Sequence, residues 1–271
     1  MGGSSTTPFD ISQHGLQHAY GENVHIQDDA LSSTLLARLS CADTPHPEVM
    51  AILRAAYQHL GAEAFGMTLP TVQSERPTRM AVSQPDAGVL RGEHLDPSQR
   101  VVVLDIMRGG IVPAQTLFEL LTLVLPLDCL RLDHLDMARV ADSAGRVSGV
   151  DLRAAKVGGT LDGVTLVIPD PMGATGGTLR TAVNWLVENH GTPSQILAMP
   201  LIATPEFLAS ARDLKQEVKV FAGRVDRGLS PEHVLLEVPG TLWAQERGLT
   251  EAGYIVPGAG GLGEVINNSW C

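Results

Sequence analysis

Val164-Thr165-Leu166-Val167-Ile168-Pro169-Asp170-Pro171-Met172-Gly173-Ala174-Thr175-Gly176-Gly177-Thr178 passes from apolar and β-branched residues through an acid into glycines and hydroxyls. The first part predicts a central strand of a parallel sheet, buried on both faces. The last part predicts a phosphate cradle. Glycines remove the Cβ that keeps backbone away from an anion, successive amides point into one concavity, and the helix behind offers its unpaired N–H groups and dipole. Ala174, Thr175, Gly176, Gly177 and Thr178 form that loop, and the two threonines add hydroxyl donors. Leu179, Ala182, Val183, Leu186 and Val187 then recur at helical spacing, with Gly191 and Pro193 as the stop signal. Such a loop sits at the carboxyl end of a strand, where open α/β sheets bind ligands. An ordinary glycine-rich turn shares the local pattern, so the rest of the chain has to decide.

Outward from this stretch, strands and helices alternate. Residues 101–106 read as a strand before a helix from Pro113 to Leu125, 196–202 as a strand before a helix from Pro205 to Leu214, and 218–222 as a further strand. That rhythm predicts a mostly parallel, right-handed α/β sheet flanked by helices. The first hundred residues read as an N-terminal extension with two helices. One of them runs from Pro47 to Leu60, with Val49, Ile52, Leu53, Ala56 and Leu60 on its apolar face and Gly61 as its stop. Residues 136–162 are a long polar interval, expected to be a mobile functional loop.

Composition narrows the class. At 271 residues and 44% hydrophobic, the chain can bury a full core as one large domain, with or without a small subdomain. A net charge of −11 argues against a nucleic-acid partner, which needs a basic face, and requires local arginines and Mg²⁺ wherever an anionic substrate binds. Cys41, Cys129 and Cys271 are odd in number and lack metal or redox spacing, as expected of reduced thiols in a cytoplasmic protein. The apolar run from Thr116 to Leu127 is interrupted by Glu119 and ends near Pro126, too short to span a bilayer, so no membrane association is expected. Met1-Gly2 with Thr6 fits a myristoylation pattern that a Ser/Thr/Gly-rich tail also gives by chance. Gly258-Ala259-Gly260-Gly261-Leu262-Gly263 satisfies the dinucleotide fingerprint, but only eight residues follow, too few for the crossover helix and acid that the fingerprint requires.

No Gly-Lys-Ser/Thr follows the phosphate loop, which excludes a Walker site. The acid followed by Ala-Thr-Gly-Gly-Thr instead resembles the phosphoribosyl pyrophosphate loop of type I phosphoribosyltransferases, and Asp170-Pro171-Met172 before it resembles the uracil phosphoribosyltransferase form. Gly173 stands where that family usually has leucine. Three further segments are similar to the same family, in the same order. Val101 to Gly110, ending in Arg108-Gly109-Gly110, resembles its pyrophosphate loop; Leu201 to Glu206 its next strand-to-helix segment; Gly253-Tyr254-Ile255-Val256-Pro257-Gly258 its uracil-binding segment. The resemblance runs from about Val101 to Val265, with an insertion around Ser230 to Gly248.

The resemblance implies a type I phosphoribosyltransferase-like fold with an N-terminal helical extension and a small base-binding hood. It divides the chain into residues 1–95, contributing to hood or oligomer contacts, and a core at 96–271. It implies transfer of ribose 5-phosphate from phosphoribosyl pyrophosphate to uracil or a related planar heterocycle, with Mg²⁺ carried by the diphosphate, in a homo-oligomer. Arg108 and, less directly, Arg139 would bind pyrophosphate, and Asp170 the ribose hydroxyls. Residues Met172 and Ala174 to Thr178 would hold the phosphorylated ribose, while Tyr254, Ile255, Gly258, Gly260 and Gly261 would meet the base. Asp226, in Val225-Asp226-Arg227-Gly228-Leu229, resembles an aspartate near the base pocket, though a loop acid is more often solvated. Asp133-His134-Leu135-Asp136 reads as a half-exposed strand in place of a metal site.

One departure stands out. Where the family has Pro-Gly-Leu-Gly-Asp-Ala-Gly-Asp-Arg, this chain has Pro257-Gly258-Ala259-Gly260-Gly261-Leu262-Gly263-Glu264-Val265, so Gly261 replaces the first aspartate and Glu264 keeps only the second acid. Weak or absent uracil activity is expected. Two alternatives stay open: a different planar acceptor, or a non-catalytic phosphoribosyl pyrophosphate or nucleotide sensor on the same fold.

Overall fold

The computed structural model describes residues 15–141 and 147–269, and side chains within them except those of 139–150. The myristoylation pattern and Cys271 lie outside the described residues; Cys41 and Cys129 are free thiols.

A seven-stranded sheet forms the centre, in the order β1 (Val24–Ile26), β11 (Val218–Ala222), β9 (Gln195–Met199), β7 (Thr165–Pro169), β4 (Val101–Met107), β5 (Leu130–Ala141), β6 (Val147–Lys156). Every neighbouring pair is parallel except β5 with β6. The run of β4 is apolar except for Asp105 because both faces are covered. Val101 and Val103 point into a cluster with α1 (Ala30–Ser40), α2 (His46–Thr68) and α3 (Ile111–Thr122). Val102, Leu104 and Ile106 point into the other cluster, with α4 (Gly177–His190) and α5 (Pro205–Arg212). The alternation predicted for an α/β sandwich is therefore met strand by strand.

The segment before residue 95 also enters this core. β1 pairs with β11 through Val24↔Val220, and α2 buries Leu53, Tyr57 and Leu60 beneath the sheet. Only β2 (Thr71–Pro77) and β3 (Val89–Leu95) stand apart, as a two-stranded antiparallel arm. A second small parallel sheet, β8 (Met172–Gly173), β10 (Ile202–Ala203) and β12 (Arg224–Val225), ties together the segments that follow the carboxyl ends of β7, β9 and β11. Two short helices, α6 (Glu232–Leu235) and α7 (Leu262–Asn267), complete the chain.

Two expectations need correction. Gly61 does not end α2, which continues to Thr68 and stops before Pro70. A Cβ at Gly61 would lie 2.5 Å from Leu117 Cδ2 and 3.1 Å from Leu120 Cδ2, so this glycine lets α3 cross closely. The interval 136–162 is not a loop, because β5 and β6 build an antiparallel hairpin through most of it. On β6, Asp151, Arg153, Ala154 and Lys156 are exposed, so no apolar period marked that strand.

The insertion around 230–248 is ordered by a buried acid. Glu246 accepts from Tyr20 Oη at 2.5 Å, Arg227 Nη1 at 3.0 Å and the Gly240 amide at 2.8 Å. Burial, then the bond to Glu246, holds the Tyr20 phenol well above its ordinary pKa.

Candidate functional site

Parallel topology delivers the carboxyl ends of β4 and β7 to one side of the sheet, where they wall a cavity of about 720 Å³. Arg108 and Gly109 follow β4, Asp136, Met137 and Ala138 come from β5, Asp170 to Met172 follow β7, and Gly253 to Ile255 with Gly260 to Glu264 close it from the C-terminal segment.

The phosphate-loop reading has a structural basis at each residue. Gly176 adopts φ +74°, and a Cβ there would meet Ser210 Cβ and Oγ at 2.5 Å, so both backbone and space demand glycine. Gly177 opens α4, and its amide donates to Thr175 Oγ1 at 3.3 Å. Ala174 and Thr178 line the cavity, whereas Thr175 is exposed. From below, Thr204 Oγ1 donates to the Ala174 carbonyl at 2.6 Å and accepts from the Phe207 amide at 3.0 Å, which fixes the loop's entry. Gly173 has its own partner: a Cβ there would lie 3.0 Å from both Phe207 Cγ and Pro200 Cβ. The ring of Phe207 fills the space a larger residue would need.

Asp170 and Arg108 both line the cavity. Asp170 Oδ1 accepts from the Met172 amide at 3.1 Å and would lie 3.7 Å from a Cβ at Gly109. Arg108 Nη1 donates to Ser269 Oγ at 3.1 Å. Arg139 sits in β5 opposite Val150, and its side chain lies outside the described residues.

Asp226 is neither solvated nor a cavity wall. It is buried, accepting from Arg224 Nε at 2.7 Å and Nη2 at 3.0 Å, and its Oδ2 also accepts from the Gly258 amide at 2.7 Å. Arg224 Nη2 donates in turn to the Gly258 carbonyl at 3.0 Å. The pair thus grips both polar groups of Gly258, a residue at φ +64°, and carries Tyr254 and Ile255 on one side and Gly260 and Gly261 on the other into the cavity. Gly258, like Gly176 and Gly177, supports the wall from behind it.

At Gly261, the Glu264 carboxylate folds back over the α-carbon. A Cβ added there would collide with Glu264 Oε2 and stand 3.0 Å from its Cδ. The cavity therefore keeps an acid on this wall, but from a longer side chain one turn later.

Several wall residues carry no signal in the sequence. Asp136 belongs to the run Asp133-His134-Leu135-Asp136, whose burial alternates as expected of a half-exposed strand, with Asp133 and Leu135 buried. Buried Asp133 is matched by Arg131 Nε at 2.9 Å and the Gly158 amide at 3.0 Å. His134 Nδ1 lies 2.9 Å from Asp105 Oδ2, and Asp105 Oδ1 has no hydrogen-bond partner. Burial raises the Asp105 carboxyl above its usual range, with His134 acting in the opposite direction. Arg153 of β6 also lines the cavity. Among the described residues, no cluster of three acidic, histidine or cysteine side chains could hold a metal ion by itself, and no helix is long and apolar enough to cross a membrane.

Comparisons with known proteins point to one family and one fold. A family model described as uracil phosphoribosyltransferase matches residues 26–241. The uracil phosphoribosyltransferase of Caldanaerobacter subterraneus subsp. tengcongensis is 25% identical over 243 residues, covering 90% of this chain and 96% of that protein. The chloroplastic enzyme of Arabidopsis thaliana is 28% identical over 225 residues, covering 82% of this chain and 62% of that protein. Coverage is lower for the enzyme of Thermococcus sibiricus: 24% identity over 168 residues, 61% of this chain and 59% of that protein. This chain thus spans about three fifths of the length of some curated relatives it matches. Among solved structures, the AQ2163 protein from Aquifex aeolicus superposes with a TM-score of 0.67 at 22% identity, over 90% of this chain and 97% of that one, a likeness of fold.

Proposed function

Because this chain belongs to the uracil phosphoribosyltransferase family, we propose that it transfers ribose 5-phosphate from phosphoribosyl pyrophosphate to uracil or a related planar heterocycle. The observation that carries this reading is the single cavity bounded by Ala174 and Thr178 on one wall, Arg108 and Asp170 on the floor, and Tyr254 to Glu264 on the other wall. In the reaction the C1–O bond to pyrophosphate breaks, a ring nitrogen of the acceptor bonds to C1, and that nitrogen loses its proton. Positive charge grows on the ribose and negative charge on the leaving pyrophosphate, so fixed charges and positioning suffice without a covalent nucleophile.

The amides at the start of α4 and the hydroxyls of Thr175 and Thr178 hold the 5′-phosphate. Asp170, anchored on the Met172 amide, receives the ribose hydroxyls. Arg108 takes pyrophosphate in a forked, charge-assisted contact, and Arg139 is assigned to the same group. Backbone groups from Ile255 to Gly260 meet the base edge, with Asp226 acting through Gly258. Asp136, Asp170 and Glu264 put carboxylate oxygens on the cavity wall, but among the described residues no three such side chains could hold an ion by themselves, so Mg²⁺ would be carried by the diphosphate, whose charge it would neutralise. A cytoplasmic homo-oligomer completes the proposal, with residues 1–95 contributing hood or oligomer contacts. Exposed Met80, Val82 and Leu90 on the β2–β3 arm support that assignment.

A second reading, a planar acceptor other than uracil, is favoured by Gly261. One assay separates the two: purified protein with phosphoribosyl pyrophosphate, Mg²⁺ and a panel of nucleobases, following pyrophosphate release and nucleotide formation. Turnover with uracil supports the first reading, turnover only with another base supports the second, and turnover with none refutes both.

A further inference from the structure

The cavity is built for a strongly anionic substrate, yet its described charged walls are two arginines, Arg108 and Arg153, against three carboxylates, Asp136, Asp170 and Glu264. The whole chain carries −11, so the surrounding field does not help. A diphosphate entering this site needs every local cation, and Arg153 is the one that sequence reading missed.

Its placement is a device of the hairpin. On β5, Asp136 pairs with Ala154 and Met137 pairs with Leu152, so Arg153 of β6 faces no partner and forms a β-bulge. A bulge lets two residues oppose one and re-aims a side chain out of the strand's alternation. Leu152 packs against the apolar cluster on the α4 face, while Arg153 lines the cavity. Among the described residues no carboxylate pairs with it.

The sheet register gives the subsite. Met107 pairs with Asp136, which pairs with Ala154, so Arg108 and Arg153 each stand one residue beyond the same row, with β5 between them. Two interstrand spacings are about 10 Å, a gap within the combined reach of two extended arginine side chains over β5 at Met137. On the reading proposed above, Arg108 holds pyrophosphate. We propose that Arg153 is a further arginine of the pyrophosphate subsite, beyond Arg108 and Arg139, aimed by the β6 bulge to grip the leaving group together with Arg108. The proposal rests on that reading of the cavity.

Calorimetric titration of the full chain with magnesium pyrophosphate and, separately, with ribose 5-phosphate tests it. Losing one charge-assisted contact should weaken pyrophosphate binding by Arg153→Ala about tenfold to a hundredfold. Ribose 5-phosphate binding should stay within about twofold, and Arg153→Lys should fall between parent and Ala because a point charge replaces a fork. Pyrophosphate binding by Arg153→Ala equal to the parent's overturns the proposal, as does an equal loss for both ligands, which would mean a general field or folding effect. If the parent binds neither ligand, the phosphoribosyltransferase reading falls and this proposal with it. If the parent binds both and only the Arg153 outcome fails, that reading stands without it.

Discussion

Asp226→Ala should be among the most damaging single substitutions in the chain, although its side chain touches no cavity. The carboxylate is buried and accepts three hydrogen bonds, two from Arg224 and one from the Gly258 amide. Removing it leaves a partly buried guanidinium without its counter-ion and a buried N–H without an acceptor. Among the described residues Arg224 retains Ser40 Oγ at 2.9 Å and the carbonyls of Leu36 at 3.2 Å and Gly258 at 3.0 Å, none of them charged. Breaking a buried pair by deleting one member costs about 3–5 kcal/mol, against a total stability on the order of 5–15 kcal/mol for a native protein. Asp226→Asn keeps one acceptor and should lose roughly 1–3 kcal/mol. The double variant Arg224→Ala/Asp226→Ala should be less unstable than the sum of its singles, because the orphaned charge is gone. Urea unfolding of the parent, the two Asp226 variants, Arg224→Ala and the double variant measures this. Under conditions where Asp226→Asn stays folded, its KM for the acceptor should rise more than its KM for phosphoribosyl pyrophosphate, since the grip is on the base segment. A loss under about 1 kcal/mol for Asp226→Ala, or strict additivity in the double variant, would refute the argument.

Three further outcomes follow from the geometry. Gly176→Val should abolish ribose 5-phosphate binding, because φ +74° and the Ser210 contact leave no room for a β-branched side chain; a folded variant that binds like the parent in calorimetry removes the phosphate-loop assignment. Gly261→Asp should be tolerated, since φ is −82° and its only close neighbour is the flexible end of Glu264, and it should raise uracil turnover; robust turnover by the parent with no gain would make the substitution neutral. The buried Asp105 carboxyl has a folded pKa raised above its unfolded value, so its contribution to stability is fully present below the unfolded pKa and is lost as pH rises through the folded one. Asp105→Asn should therefore gain stability relative to the parent as pH rises above the ordinary aspartate pKa of about 3.9, and a pH-independent difference in urea midpoints would contradict that.

What could be read from the sequence followed the strength of the local physics. The strand before the phosphate loop and the helix after it were legible because both faces of β7 and one stripe of α4 are buried, which imposes apolar periodicity on the residues themselves. Gly61 misled because a helix-stopping glycine and a helix-crossing glycine look alike until the partner helix is known. The interval from 136 misled for a different reason: on β6, Asp151, Arg153, Ala154 and Lys156 face solvent, so no period marks that strand. Arg153 was invisible for the same cause, since a bulge is a property of pairing between two strands and neither strand encodes it alone. Asp226 was recognised but its role was not, because a loop acid and a buried anchor differ only in what Arg224 and Gly258 do three-dimensionally.

The departures from the family pattern are not isolated losses, because neighbouring residues occupy the space each leaves. Gly173, where leucine is usual, lies under Phe207 and Pro200 so closely that a Cβ would already crowd both. A small residue and a large neighbour are one packing solution, and restoring leucine at 173 alone would overfill it. Gly261 follows the same logic with charge in place of volume: the position of the missing side chain is taken by the carboxylate of Glu264, which remains on the cavity wall. A chain drifting out of use has no reason to retain an acid at that wall, or the Arg224–Asp226 grip that holds the adjoining turn. What has changed is the reach and freedom of the acid. A carboxylate on a glutamate side chain is less firmly placed than one on the shorter aspartate, and ordering it costs more rotamer entropy. The consequence should therefore fall on the acceptor side of the reaction, in how tightly and how selectively the base is held, and leave the phosphate contacts at the start of α4 intact.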